Sequence, residues 1–228
     1  MKYFYFYIFL LSLFIICVSY YNTLYSNVES FYNNNNNNTI ILLGDSILKN
    51  NAYVSNGKSI NDLLLERSNK NVYCYARDHS KIVDVYSQVD DIPLNLNNKD
   101  TTIFLSAGGN DILTYYVDQE NDSKDTSVLN PMFSSYKTLV NSIQTKMPNS
   151  KLVLLDIYYP DNLQYTQYHN VISEWNNMIH LYANDYKNNI NGVLKISGKL
   201  KNSNDFSFGI EPSFVGGEKI VESIINYQ

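Results

Sequence analysis

The sequence predicts an α/β protein, a parallel five-stranded sheet covered by helices on both faces. Two observations lead there. Between Thr39 and the C-terminus, short apolar runs alternate with longer stretches of helical periodicity. That alternation gives parallel strands joined by crossover helices. In addition, the run Ile40-Ile41-Leu42-Leu43 stops at Gly44-Asp45-Ser46, and Thr102-Ile103-Phe104-Leu105 is followed by Gly108-Gly109-Asn110-Asp111. Glycine with polar residues after a buried-type strand marks the carboxyl edge of an open sheet, where ligands bind.

The elements follow in order. Residues 39–43 form the first strand. A helix over 59–67 starts at Ser59, an N-cap with Asp62 three residues on, and Ile60, Leu63 and Leu64 make its apolar face. Residues 72–75 form the second strand. Ile82, Val85, Tyr86 and Val89 recur at helical spacing within a helix over 80–89. The third strand is 101–105, followed by a polar surface loop over 119–128 and a long helix from about 131 to 147. Residues 151–155 are the fourth strand, 165–186 a second long helix, 193–196 a short fifth strand and 217–227 the last helix.

Residues 1–38 stand apart from this domain. Phe4 to Val18 is almost wholly apolar or aromatic, with Lys2 before it. Residues 1–21 therefore read as a secretory signal peptide, cleaved after Ser19, or as a single-pass membrane anchor. Residues 22–38, with the run Asn33 to Asn38, read as a flexible linker, because such a tract buries no apolar surface. Either form of the leader places the domain on the lumenal or extracellular side. There Asn37-Asn38-Thr39 and Asn121-Asp122-Ser123 are acceptors for N-glycosylation.

Composition narrows the function classes. The net charge is −5 and the lysines are scattered, so nucleic-acid binding is disfavoured. The two cysteines, Cys17 and Cys74, cannot pair within the domain, and Cys74 sits in a strand-like run. His79, His169 and His180 are far apart, no Cys/His cluster has zinc spacing, and no metal or cofactor is expected. There is no glycine-rich phosphate loop.

Gly44-Asp45-Ser46 on a first strand, Gly108-Gly109-Asn110-Asp111 after a middle strand, and Glu211-Pro212-Ser213 before the last helix resemble the blocks of the SGNH, or GDSL-type, hydrolase family. The resemblance spans 39–228. It implies a flavodoxin-like three-layer α/β/α sandwich and an esterase-type hydrolase acting on an acylated sugar or lipid ester; the chain is expected to be a monomer. Carried onto this chain, it makes Ser46 the nucleophile. It also makes the Ser46 N–H, the His79 N–H and the Asn110 side-chain amide the oxyanion donors. His79 occupies the place of the family's glycine, and Phe208 and Glu211 occupy the places of its Asp and His. The segment resembles a branch of the family in which Glu replaces the histidine, also similar around Asn51-Ala52-Tyr53-Val54 and Ala76-Arg77-Asp78.

Three readings of Glu211 stay open. It is a general base on Ser46 with its pKa raised by burial. Alternatively, His79 is the base. In the third reading the protein keeps the scaffold as a catalytically weak binding or surface-associated module, with Glu211 accepting a hydrogen bond from a ligand or capping the last helix. Asp45 and Asp111 are expected to bond loop amides, and Tyr158-Tyr159-Pro160 after Asp156 to form a pocket wall.

Overall fold

The computed structural model describes residues 18–19, 38–118, 122 and 125–227. The signal or anchor reading, the linker and both glycosylation acceptors, Asn37 and Asn121, lie outside the described residues apart from Val18, Ser19 and Asn38. Among the described residues, no helix is long and apolar enough to cross a membrane.

Five parallel strands form the central sheet: β1 (Thr39–Gly44), β2 (Asn71–Cys74), β3 (Thr101–Ser106), β4 (Lys151–Leu155) and β5 (Gly192–Leu194). Their spatial order is β2-β1-β3-β4-β5, the flavodoxin-like order, with the switch in direction beside β1. The helices are α1 (Ile60–Arg67), α2 (Ile82–Asp90), the short α3 (Gly109–Ile112), α4 (Leu129–Lys146), the short α5 (Leu163–Thr166), α6 (His169–Asn184) and α7 (Phe214–Ile225). A π-helical turn, Leu113–Asp118, extends α3. A small antiparallel ribbon, β6 (Phe206–Ser207) and β7 (Glu211–Pro212), precedes α7.

The two-residue period of the strands divides the core into two layers. Ile41, Leu43, Ile103, Leu105, Leu152 and Leu154 pack with the apolar stripes of α2, α4 and α6. Their sequence neighbours Ile40, Leu42, Phe104, Val153 and Leu155 pack on the other face with α1 and α7. Both faces of the sheet are thus buried, which is why its strands read as unbroken apolar runs. Each such side chain contributes roughly 1.5–3 kcal/mol on burial.

Local signals explain most boundaries. Ser59 caps α1 in a reciprocal box with Asp62. In α2 the fourth buried residue is Gln88, in addition to Ile82, Val85 and Val89. Gln88 is buried because its amide completes the backbone at the end of β1: Gly44 N–H donates to Oε1 at 2.8 Å and Nε2 donates to Gly44 O at 2.8 Å. The helix expected over 165–186 is interrupted: α5 ends at Thr166 and α6 begins at His169, so Tyr165 and Tyr168 both face the same pocket. The last helix starts three residues earlier than expected. Ser213 Oγ accepts the Gly216 N–H at 3.2 Å, so the cap fixes the start and the glycines fall inside the first turn.

Gly44 is the tightest point of the sheet. Its φ is +125°, and a Cβ there would stand 1.7 Å from Ser106 O. The close pass of β1 and β3 is what sets Asp45 against Ser106. Gly44→Ala therefore combines backbone strain with a clash against backbone. It should cost about 3 kcal/mol or more in denaturant-unfolding free energy, or prevent folding.

Candidate functional site

The carboxyl edge of the sheet gathers the polar ends of β1 and β3 and the ribbon before α7. Asp45 follows Gly44 and is 2% exposed. Its Oδ1 accepts the Ser106 hydroxyl at 2.8 Å and the Ile47 N–H at 3.1 Å. Its main-chain carbonyl accepts Leu48 and Lys49 N–H at 3.1 and 3.0 Å. Ser46 sits on the turn these bonds close, buried at 7% exposure. Among the described residues, the Ser46 N–H donates to no protein group.

Asn110 is presented by the turn after β3. Gly108 adopts φ +104° and passes against Trp175, where a Cβ would stand 2.2 Å from Cζ2. Asn110 Nδ2 donates one hydrogen to Ser80 O at 2.9 Å, leaving its second hydrogen for a ligand. Asp111, next in the chain, accepts the Ile82 N–H at 3.0 Å and ties this turn to α2.

Glu211 is fixed through the chain around it. The Tyr158 hydroxyl donates to Ile210 O at 2.7 Å. Asn50, fully buried, donates from Nδ2 to Pro212 O at 3.3 Å and accepts Ile60 N–H at 2.8 Å. Ser213 N–H donates to Asp205 O at 2.9 Å, and Asp205 is held by Lys219 Nζ at 2.7 Å. Burial pushes the Glu211 carboxyl above its ordinary value; a hydrogen bond from Ser46 lowers it, Asp78 raises it and His79 lowers it. The Ser46 hydroxyl is near enough to act on the carboxylate. Glu211 Oε2 is enclosed and, among the described residues, has no hydrogen-bond partner.

Ser46, Asn110 and Glu211 line one pocket with Asp45. Tyr158 and Pro160 form part of its wall, as expected of the segment after Asp156. His79 stands outside this lining. It takes φ +58°, its side chain is 82% exposed, and its N–H donates to Asp78 Oδ1 at 3.0 Å. The donor assigned to the oxyanion by resemblance is thus engaged by the neighbouring carboxylate. Phe208, at φ +51°, is 80% exposed and meets Tyr53 edge-on at 6.0 Å. It offers nothing to orient a base.

Two partners escape a reading of the motifs. The Tyr53 hydroxyl lies 2.8 Å from both oxygens of Asp78, and Asp78 Oδ2 is 3.5 Å from His79 Nε2. Tyr53, Asp78 and His79 make a polar rim beside Glu211. The only hint in the sequence is that Tyr53 and Asp78 lie in the two segments that resemble the Glu-bearing branch. The remaining histidines are elsewhere: His169 Nε2 contacts Pro160 O at 3.0 Å, and His180 Nε2 contacts Asp156 Oδ2 at 3.2 Å. Asp156 also takes the Ser197 N–H and hydroxyl, at 2.8 and 2.7 Å, so it braces the end of β5. Among the described residues, no cluster of three or more His, Cys, Asp or Glu could hold a metal ion.

No protein-family model matches the chain, and no curated protein sequence does. Solved structures do. A member of the lipolytic G-D-S-L family from Veillonella parvula DSM 2008 matches with a TM-score of 0.60 and 21% identity over 82% of this chain and 96% of that one. The family 3 carbohydrate esterase of Clostridium thermocellum matches at 0.58 and 19%, covering 83% and 94%. Phospholipase A1 from Streptomyces albidoflavus NA297 matches at 0.59 and 12%, covering 82% and 98%. At these identities the likeness is one of fold, and the fold is the one the sequence blocks imply.

The two carboxyls of the pocket predict a pH effect on stability. Burial, reinforced by the charge of Glu211 and opposed by the bonds from Ser106 and Ile47, pushes Asp45 up to about 7. Its folded pKa is raised, so the native state loses stability as pH rises from the unfolded value to about 7, and the loss is complete above that. Asp45→Asn keeps an oxygen acceptor for Ser106 and Ile47. It should be more stable than wild type by roughly 2–4 kcal/mol at pH 8 and by little near pH 4, read from denaturant midpoints across pH.

Proposed function

We propose that this domain is a serine ester hydrolase of the SGNH type in which Glu211 takes the place of the histidine base. The carrying observation is the Ser46 hydroxyl beside a half-buried, raised-pKa carboxylate whose enclosed Oε2 has no partner among the described residues. The free Ser46 N–H and the second Asn110 amide hydrogen supply two donors at the same pocket. The shared fold with a carbohydrate esterase and a phospholipase supports ester substrates, acylated sugars or lipids. In keeping with the apolar leader, we place the domain on the lumenal or extracellular side, as a secreted or membrane-tethered monomer.

The reaction follows from the groups present. Ser46 Oγ attacks the ester carbonyl carbon as its proton passes to Glu211. The tetrahedral oxyanion is held by the Ser46 N–H and the Asn110 amide. Preorganised donors of this kind are each worth about 10²–10³ in rate. Collapse breaks the bond to the alcohol oxygen, which takes the proton from Glu211, leaving Ser46 acylated. Water then attacks the acyl carbon, gives its proton to Glu211, and the returning proton frees Ser46 and a carboxylic acid. A carboxylate is a weak base toward a hydroxyl, and burial is what strengthens it. Asp78 and His79 act on Glu211 by charge and set the pH at which it works.

With a short-chain 4-nitrophenyl ester, Ser46→Ala and Glu211→Gln should each lower kcat/KM by about 10²–10⁴-fold. His79→Ala should retain turnover. The working form has Glu211 ionised, so kcat/KM rises with pH through its raised pKa. Asp78→Asn removes a like charge and should move that acid limb to lower pH. His79→Ala removes a pKa-lowering neighbour and should move it to higher pH. Loss of all turnover in His79→Ala would instead make His79 the base. Absence of turnover in the wild type would leave a binding module on this scaffold.

A further inference from the structure

We infer that Gln88 is a positioning residue whose one buried amide fixes the end of β1 that leads into Ser46 and, through Ser80, the direction of the Asn110 amide. Both proposed oxyanion donors are then aligned from a single side chain. This rests on the ester-hydrolase reading above and concerns how its donors are held, whatever ester they serve.

The first arm runs to Ser46. β2 ends at Cys74, which pairs with Leu42, so β2 stops short of Gly44. Gln88, fully buried on α2, takes the place of a strand partner there. Gly44 N–H donates to its Oε1, and its Nε2 donates to Gly44 O, each at 2.8 Å. Gly44 stands two residues before Ser46, so a shift at Gly44 is passed to the turn that presents the Ser46 N–H.

The second arm runs to Asn110. The other hydrogen of Nε2 goes to Ser80 Oγ at 3.1 Å. The amide is then saturated, with both hydrogens donated and its oxygen occupied. It cannot turn over, because a flipped amide would set Nε2 against the Gly44 N–H, donor against donor. Ser80 is itself buried, and its carbonyl accepts Asn110 Nδ2 at 2.9 Å. Hydrogen bonds thus run without a break from Gly44 through Gln88 to Ser80, and the Ser80 main chain holds Asn110. The start of α2 ties the same turn from its other side: Ile82 N–H donates to Asp111 Oδ2 at 3.0 Å, next to Asn110.

The consequence is directional. Asn110 has two amide hydrogens, and the one held by Ser80 O determines where the other points. A donor stabilises an oxyanion only if it is aimed before charge develops. A fully satisfied buried network holds its members in one arrangement, and this one joins both donors.

The test is a pair of double-mutant cycles on the purified full chain with a short-chain 4-nitrophenyl ester. Asn110→Ala should lower kcat by about 10²–10³-fold. Ser80→Ala deletes the hydroxyl and keeps the carbonyl. It should lower kcat by about tenfold and leave KM within about twofold, because aim matters only in the transition state. In the Asn110→Ala background the same change should lower kcat by less than about twofold, since the donor it aims is gone. Gln88→Glu keeps the shape and an acceptor for Gly44 N–H, but has at most one hydrogen for two acceptors. It should lose more than Ser80→Ala, and part of that loss should persist in the Asn110→Ala background, through Ser46. Should Ser80→Ala fail to fold, Ser80→Cys, whose sulfur accepts only weakly, takes its place in the cycle. A Ser80→Ala loss that is absent, or equal with and without Asn110, overturns the inference and leaves the hydrolase reading standing. So does a Gln88→Glu loss that vanishes in the Asn110→Ala background, because Gln88 would then not align Ser46. No Ser46-dependent turnover in the wild type overturns the hydrolase reading, and this inference with it.

Discussion

A carboxylate withdrawn from water stands against the hydroxyl of Ser46, and the surrounding structure is built to keep it there. Among the described residues, Glu211 has no charged residue bonded to it and one oxygen without a partner. Left to itself, a two-residue ribbon would not hold such a group. Tyr158 and Asn50 bond the main chain on either side of it, and the Asp205–Lys219 pair anchors the start of α7 just beyond. On the opposite side, the close pass of Gly44 against Ser106 fixes Asp45 and hence the turn that carries Ser46. On the proposed mechanism, the partial burial that raises the Glu211 pKa is also what makes it a base, so stability and chemistry draw on the same interaction.

The departures from the family pattern form a consistent set. Where the resemblance implies a glycine N–H aimed at the oxyanion, His79 adopts the left-handed conformation a glycine would take, but its N–H is bound by Asp78. Where it implies an orienting carboxylate, Phe208 is turned out to solvent. Position 208 carries no carboxylate, and the acidic group that acts on Glu211 is Asp78, held by Tyr53. On the proposed reading, this rearranged rim tunes a carboxylate rather than an imidazole. The proposed oxyanion site then has two donors, the Ser46 N–H and the Asn110 amide, instead of three.

Elements dictated by local chemistry were legible in the sequence. The five strands are apolar runs because both faces of the sheet are buried, and α1 begins where its capping box says it should. Ser46, Asn110 and Glu211 were found as residues at strand ends and before the last helix, and the structure brings them to one pocket. What stayed hidden is tertiary. The β6–β7 ribbon is too short for a periodic signal and exists because Tyr158 and Asn50 hold it. The π-helical turn is pinned by Tyr168 from another helix, 52 residues on. Gln88 looks like a surface residue until Gly44 needs its amide. Capture of the His79 N–H by Asp78 is a matter of rotamer, which residue type does not reveal.

The central claim is that Glu211 makes Ser46 a nucleophile, and the pH dependence of covalent labelling tests it without a choice of ester. A fluorophosphonate should modify the chain at Ser46, located by mass spectrometry. The rate should rise with pH through one ionisation above the ordinary glutamate range and should collapse in Glu211→Gln. Labelling at Ser46 that is equally fast in Glu211→Gln, or no labelling of Ser46 at any pH, would contradict the account.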